Sequence, residues 1–492
     1  MEATQLLRPF KVDILKQLPA EQQVFFKWFL ALTEVNRPSF HLDEARQIVM
    51  KWGDALGVPH KEDKAGNILF TIPATKGKEH IKPIALQGHL DIVAVGQLEN
   101  GKVPLKLENG KLFSGVSTIG ADDGVAIAAM LAVMEEKDKF EHGVIECLVT
   151  LDEEVGLVGA GKLEGPPFLQ SRTLLNLDSE EWGVFITSCA GSVSIWYDCA
   201  VNRAEFSGRT LSVTVSGLLG GHTGITIQEG RSNALKWIAR LLMEAKISGS
   251  DFRIVSINGG EKHNAIPDNA TVVIVTSDSG IEDKLKKTHQ ELLHESKAIE
   301  TKVPKLAISE ASVQKPMSKE STDKVLNLLL TIYHGVWQMH PEISGLVNTS
   351  QSLSVCKTEN DLVRYQVYAR TNEATQMHLI EEVNRSLASL AGVECKIPPE
   401  EIMGPWPAAL DAKIIDTAKQ VYKRCFGTEA KIEGIHAGLE CGCIQNRGYS
   451  DLEAISYGPD VVGAHSVDEN LSVDSAVKFY TLTLEILKDW AK

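Results

Sequence analysis

LQGHLDIV, residues 86–93, begins as a buried strand and ends as something else. Leu86 and the pair Ile92-Val93 suit a core, whereas His89 and Asp91 do not. An imidazole and a carboxylate two residues apart, where an apolar strand runs out, mark the carboxyl end of a strand in an open α/β sheet. Such sheets place their sites there. The surroundings agree. NILFTIP (67–73), IKPIALQG (81–88), VIECLVTLD (144–152) and TLLNLDS (173–179) read as buried strands. AEQQVFFKWFLALTEV (20–35), LDEARQIVMKWGDALG (42–57) and GVAIAAMLAVMEEKD (124–138) have helical spacing. Strands alternating with helices predict a mixed α/β sheet with helices on both faces.

Three apolar segments in a row end in acids. GADDG gives Asp122 and Asp123, LVTLDEEVG gives Asp152, Glu153 and Glu154, and LLNLDSEE gives Asp178. Carboxylates converging on one pocket repel unless they are protonated or neutralised by a cation. Histidine with carboxylates suits zinc, with manganese or cobalt as alternatives. Each signal alone has a plainer reading: a hydrogen-bonded strand-end histidine, a helix N-cap at Asp122-Asp123, a solvated face at Glu153-Glu154. Only the ordered set points to metal chemistry.

The middle of the chain changes character. TLSVTVSG (210–217), DFRIVSING (251–259), ATVVIVTS (270–277) and LVRYQVYART (362–371) read as strands. GRSNALKWIARLLMEAK (230–246), EDKLKKTHQELLHESKA (282–298) and QMHLIEEVNRSLASLAG (376–392) read as helices. This α+β pattern predicts a second domain, and IPPEEIMGPWP (397–407) reads as a joint. The expected division is 1–187 with 403–492 as a catalytic domain and 188–402 as an insertion.

The totals exclude several classes. With 492 residues, 43% hydrophobic and 23% charged, the composition is that of a soluble globular protein of more than one core. A net charge of −15 argues against nucleic acid and against an anionic membrane surface. The longest apolar run beside a motif, GVAIAAMLAVM (124–134), falls short of the roughly 20 residues of a spanning helix. MEATQLLRPFKVDILKQLP lacks the long apolar stretch of a secretory signal, so a cytoplasmic protein is expected. Eight cysteines without a CxxC pair make a disulfide framework unexpected, and the close pair Cys441 and Cys443 reads as buried thiols rather than as metal ligands.

Taken in order, HLD, GADDG, DEEVG, LDSEE, GGHTG, HNAIP and GAHSVDE resemble the cocatalytic-zinc metallopeptidase clan that includes glutamate carboxypeptidase and acylases. QGHLDIV, GADDGVAIA, IHAGLECG and GAHSVDEN are similar to the aminoacyl-histidine (Xaa-His) dipeptidases over nearly the whole chain. The resemblance implies two divalent metal ions bridged by Asp122. His89 and Asp178 complete one metal, and Glu154 and His465 the other. It makes Glu153 the general base and acid for attack by a metal-bridging hydroxide. Asp91 would orient His89, which also fits the habit of ligating histidines to donate to a carboxylate. His222, Asn264 and Arg370 would bind substrate or stabilise the oxyanion from an inserted lid or dimerisation domain. The implied substrate is a small peptide, an Xaa-His dipeptide first. A broad di/tripeptidase or an N-acyl amino-acid amidohydrolase is the alternative, and a non-catalytic metal-binding protein the rival of another class. A homodimer, and action of His222 in cis or in trans, stay open. The chain departs from the family at Asp123, where Asn is usual, and at Thr223, where Ser is usual.

Overall fold

The structure is a computed structural model and describes residues 7–99 and 101–492. The first six residues of the N-terminal stretch judged above lie outside the described residues. The chain divides into two compact units, one of residues 1–189, 406–434 and 439–492, the other of residues 190–405 and 435–438.

The first unit is built on an eight-stranded sheet. Its centre is parallel: Ile84–His89 lies between Ile145–Thr150 and Thr173–Asn176, and Glu453–Ser456 follows. These strands are buried along almost their whole length, which is why Ile, Leu and Val recur in them. Because they run the same way, their carboxyl ends share one edge. His89 is level with Thr150, so the chain leaving each strand there enters one region. Antiparallel strands His60–Glu62 and Ile68–Ile72 close one side of the sheet.

The helix Ala121–Glu136 is apolar on nearly every side and packs within the main core, which also holds Phe25, Phe29 and Val49. Asp122 and Asp123 at its start are not helical, and a cis peptide bond joins them. A small four-stranded sheet pairs Lys106–Glu108 and Lys111–Phe113 with the C-terminal strands Asn470–Ser472 and Val461–Val462. His465 sits in the turn between those last two strands, with φ at +62°.

The second unit is a ten-stranded antiparallel sheet with its own core, packed with helices Ala234–Ile247, Ile281–Ser296, Lys319–Thr331 and Ala374–Ala391. Its longest strand, Val347–Glu359, carries Asn, Thr, Ser and Gln among its buried residues. A separate two-stranded ribbon pairs Gly221–His222 with Ala265–Ile266. The fold is thus α/β with a mixed sheet, joined to an α+β unit.

Cys441 and Cys443 are buried in the short helix Glu440–Asn446, and burial pushes both thiols up. No cysteine joins a metal-capable group among the described residues.

Candidate active site

Strand ends, the start of the helix Ala121–Glu136 and the turn at His465 deliver their side chains to one place. His89 is 1% exposed, and its Nε2 lies 3.1 Å from Asp122 Oδ1 and 3.5 Å from Asp178 Oδ1. His465 Nε2 lies 3.0 Å from Asp122 Oδ2 and 2.8 Å from Glu154 Oε2. The two oxygens of Asp122 therefore face two different imidazoles. Glu153 Oε2 stands 4.0 Å from His89 Nε2.

The second nitrogen of His89 is held locally. Its Nδ1 is 3.0 Å from the backbone carbonyl of Asp91 and 3.5 Å from the Asp91 carboxylate. The carbonyl is the nearer acceptor. The carboxylate has further work: it accepts from Ser39 Oγ at 2.8 Å and from the backbone N–H groups of Glu153 and Glu154 at 3.0 and 3.2 Å. Asp91 thus fixes the turn that carries both glutamates, a function absent from the sequence reading.

Asp123 is buried and is bonded by backbone N–H groups rather than by an imidazole. Its Oδ2 accepts from the backbone N–H of His89 at 3.3 Å and its Oδ1 from that of Ala126. A Cβ on Gly88 would come within 2.3 Å of Asp123 Oδ2 and of Ala126 Cβ, so the glycine in LQGH permits this close approach.

The electrostatics ask for a cation. Burial pushes Asp178 up to about 6 and drives Glu153 well above the carboxylate range. Burial alone would also raise Asp122, but hydrogen bonds from His465 and His89 outweigh it and hold that carboxyl low. Hydrogen bonds to Asp122 and Glu154 raise His465 to about 11. Four carboxylates thus face two imidazoles. Glu154 Oε1 is buried with no hydrogen-bond partner. Donor atoms of His89, Asp122 and Asp178 lie within 4.8 Å of one another, as do those of Asp122, Glu154 and His465. Two oxygen- and nitrogen-rich triads that share one carboxylate, with an orphaned oxygen on Glu154, fit a pair of divalent cations.

In the second unit, the side chains of His222 and Arg370 meet, and Asn264 reaches the same place through its backbone carbonyl. His222 pairs with Ala265 in the ribbon, and the N–H of Thr223 donates to the Asn264 carbonyl at 2.9 Å. His222 Nδ1 accepts from the N–H groups of Gly224 and Ile225, which leaves the proton on Nε2. Arg370 Nη2 lies 3.3 Å from that Nε2, its Nε reaches Thr223 Oγ1 at 3.5 Å, and the guanidinium stacks on Tyr368 at 4.9 Å. Burial, with Arg370 and His263 nearby, lowers His222 to about 4, so the ring is neutral. His436, which the sequence reading quoted within a motif but gave no role, is buried beside Ser350 Oγ at 2.7 Å.

Other functional candidates escaped the sequence reading. Glu440 is fully buried, accepts from Gln87 Nε2 at 2.5 Å and Thr150 Oγ1 at 2.6 Å, and is pushed up to about 7 by burial. Arg37 and Glu469 hold the loop before Asp122, as described below. Glu440 and Glu469 both lie inside quoted motifs, IHAGLECG and GAHSVDEN, but nothing local distinguishes them from solvated acids.

A histidine-and-carboxylate centre at the carboxyl ends of parallel strands defines a metal-capable hydrolytic site on an α/β fold. The chain belongs to the peptidase family M20/M25/M40, whose pattern matches residues 85–489, and is a hydrolase acting on peptide bonds. It is 30% identical over 472 residues to the cytosol non-specific dipeptidase of Escherichia coli (strain K12), covering 94% of this chain and 96% of that protein. The aminoacylhistidine dipeptidase of Vibrio alginolyticus superposes with a TM-score of 0.86 at 28% identity, over 96% of this chain and 97% of that one. Aminopeptidase PepT of Bacillus cereus shares the fold at 16% identity, with a TM-score of 0.57 over 96% and 98% of the two chains.

Proposed function

We propose that the protein is a metal-dependent dipeptidase that takes short peptides with Xaa-His dipeptides among them. The observation that carries this is the Asp122 carboxylate, whose two oxygens face His89 and His465 separately. His89 and Asp178 would hold one divalent ion, Glu154 and His465 the other, with Asp122 between them. Such a pair, zinc first and manganese or cobalt next, supplies Lewis acidity that polarises a peptide carbonyl and acidifies a water. Glu153 accepts the proton of that water and returns it to the leaving amine; its burial gives it the raised affinity for protons that this exchange needs. Asp91 keeps Glu153 and Glu154 turned to different tasks by binding both their N–H groups.

The 190–405 unit acts as a lid that supplies substrate contacts. The Nε2–H of His222 and the Arg370 guanidinium are adjacent donors, suited to a carboxylate or a developing oxyanion. Asn264, which immediately precedes the ribbon strand Ala265–Ile266, is proposed as a further polar contact. Binding of a free substrate carboxylate there favours dipeptides, which carry one next to the scissile bond. A homodimer and a cytoplasmic location complete the proposal. The name of the Escherichia coli relative supports that location.

The test is hydrolysis by chelator-treated and metal-restored protein of Xaa-His dipeptides, other dipeptides, tripeptides and N-acetyl amino acids. Restored turnover of dipeptides is expected. Preference for N-acetyl amino acids would make the protein an amidohydrolase instead, and full activity in protein shown to be metal-free would overturn the metal mechanism.

A further inference from the structure

The loop that presents Asp122 is held by two buried side chains that take no part in the chemistry above. Glu469 is 1% exposed. Its Oε2 accepts from the backbone N–H groups of Ile119 at 2.6 Å and Gly120 at 3.0 Å, and its Oε1 from Ala121 at 2.7 Å and Asp122 at 3.4 Å. One carboxylate thus satisfies four successive donors, and the last belongs to Asp122 itself. Arg37, also 1% exposed, donates from Nη1 to the Leu90 carbonyl at 2.7 Å and from Nη2 to the Gly120 carbonyl at 2.6 Å. Two glycines make room for it: a Cβ on Gly120 or Gly124 would sit 2.6 or 2.5 Å from Arg37 Nη2.

These bonds join three separate stretches of chain. Leu90 adjoins His89, Gly120 leads into Asp122, and Glu469 closes the turn that begins at His465. Burying a guanidinium and a carboxylate is costly unless each is fully hydrogen-bonded. Here each spends its charge on backbone groups of the segments that bear the donors of both cation positions. A loop without such partners would have to order its four N–H groups at the moment of metal binding.

We propose that Glu469 and Arg37 are positioning residues that preorganise Asp122 between His89 and His465 and thereby set the affinity of the site for its pair of divalent ions. This rests on the metal reading given above. Neither residue touches substrate or metal; both act through the 119–122 backbone.

The test is titration of metal-free protein with Zn2+ against a chromophoric chelator, with stoichiometry from elemental analysis and thermal midpoints of the metal-free forms. Glu469→Gln removes the charge and turns an amide N–H toward backbone donors. Arg37→Lys retains charge but can reach only one of the two carbonyls. Each variant is expected to bind Zn2+ about ten- to a hundredfold more weakly, the scale for losing outer partners of metal ligands. Asp468→Asn, an exposed neighbour in the same turn, should bind as the wild type does. Wild-type affinity in both folded variants would overturn the proposal, as would a loss of metal-free stability with affinity unchanged, since that marks a purely structural role. If Glu469→Gln does not fold, Arg37→Lys and Glu469→Asp decide by the same measurement. A wild-type protein that binds no divalent ion would instead overturn the metal reading itself.

Discussion

Adjacent residues at this site are separated by what their backbone and burial allow. Glu153 and Glu154 share a turn pinned by Asp91, yet only Glu154 reaches His465, at 2.8 Å, while Glu153 stands near His89. Glu153→Gln should therefore retain both metals and lose about a hundred- to ten-thousandfold in kcat, the worth of a positioned proton carrier. Glu154→Gln should lose one metal equivalent by elemental analysis. If the first variant loses metal and the second does not, the two roles are exchanged. His222 is separable in the same way. With its Nδ1 accepting from two backbone N–H groups, only Nε2 carries a proton to donate. His222→Ala should leave metal content and folding intact and lower kcat about a hundredfold, as for loss of one oxyanion donor; near-normal kcat would end that assignment.

At the scale of elements, the strand Ile84–His89 and the helix Ala121–Glu136 approach so closely that only glycine fits between them. The Cβ of Gly88→Ala would meet the Asp123 carboxylate and the Ala126 side chain together, both in a filled core. Overpacking of this kind costs about 1–3 kcal/mol. The variant should melt earlier by calorimetry and bind Zn2+ less tightly, because His89 ends the displaced strand. Unchanged melting and affinity would show that the helix can shift at no cost.

For the whole molecule, two linkages follow. A site that binds divalent ions only when folded adds about 2.7 kcal/mol at a hundred times its Kd, so chelation should lower the melting temperature of the wild type measurably. The second is pH. Burial, with Arg370 and His222 nearby, lowers His436 to about 3 from the usual 6.5. The unfolded chain then takes up a proton that the folded chain refuses. Stability from this group is complete above pH 6.5 and falls as pH drops toward 3. By pH 5 the loss amounts to about 2 kcal/mol. His436→Gln should lose less than the wild type between pH 7 and pH 5 in parallel melts; equal slopes would show that His436 does not carry the dependence.

The sequence by itself determined the strand ends and the acids placed on them. Apolar runs that stop at His89, Glu153-Glu154 and Asp178 are local patterns, legible because buried parallel strands are rich in Val, Ile and Leu; Asp122, read with them as a strand-end acid, instead stands at the start of the helix Ala121–Glu136. The resemblance supplied His465 and His222, which no local pattern singles out. Only the tertiary structure decided what surrounds them. Glu469 reads as a solvated acid beside Asp468 until four N–H groups from residues 119–122 are seen to converge on it. Nothing local in VNRPSF singles out Arg37, whose guanidinium is held by the carbonyls of Leu90 and Gly120. Asp91 was legible as a partner of His89 but not as the anchor of the 153–154 turn. The strand Val347–Glu359, rich in Ser, Thr, Asn and Gln, gave no strand signal, because its polar side chains are buried by neighbours distant in sequence. The physical reason is common to all four. A charge or hydroxyl is written in one residue, whereas the partner that makes its burial favourable comes from chain tens to hundreds of residues away, and folding alone brings the two together.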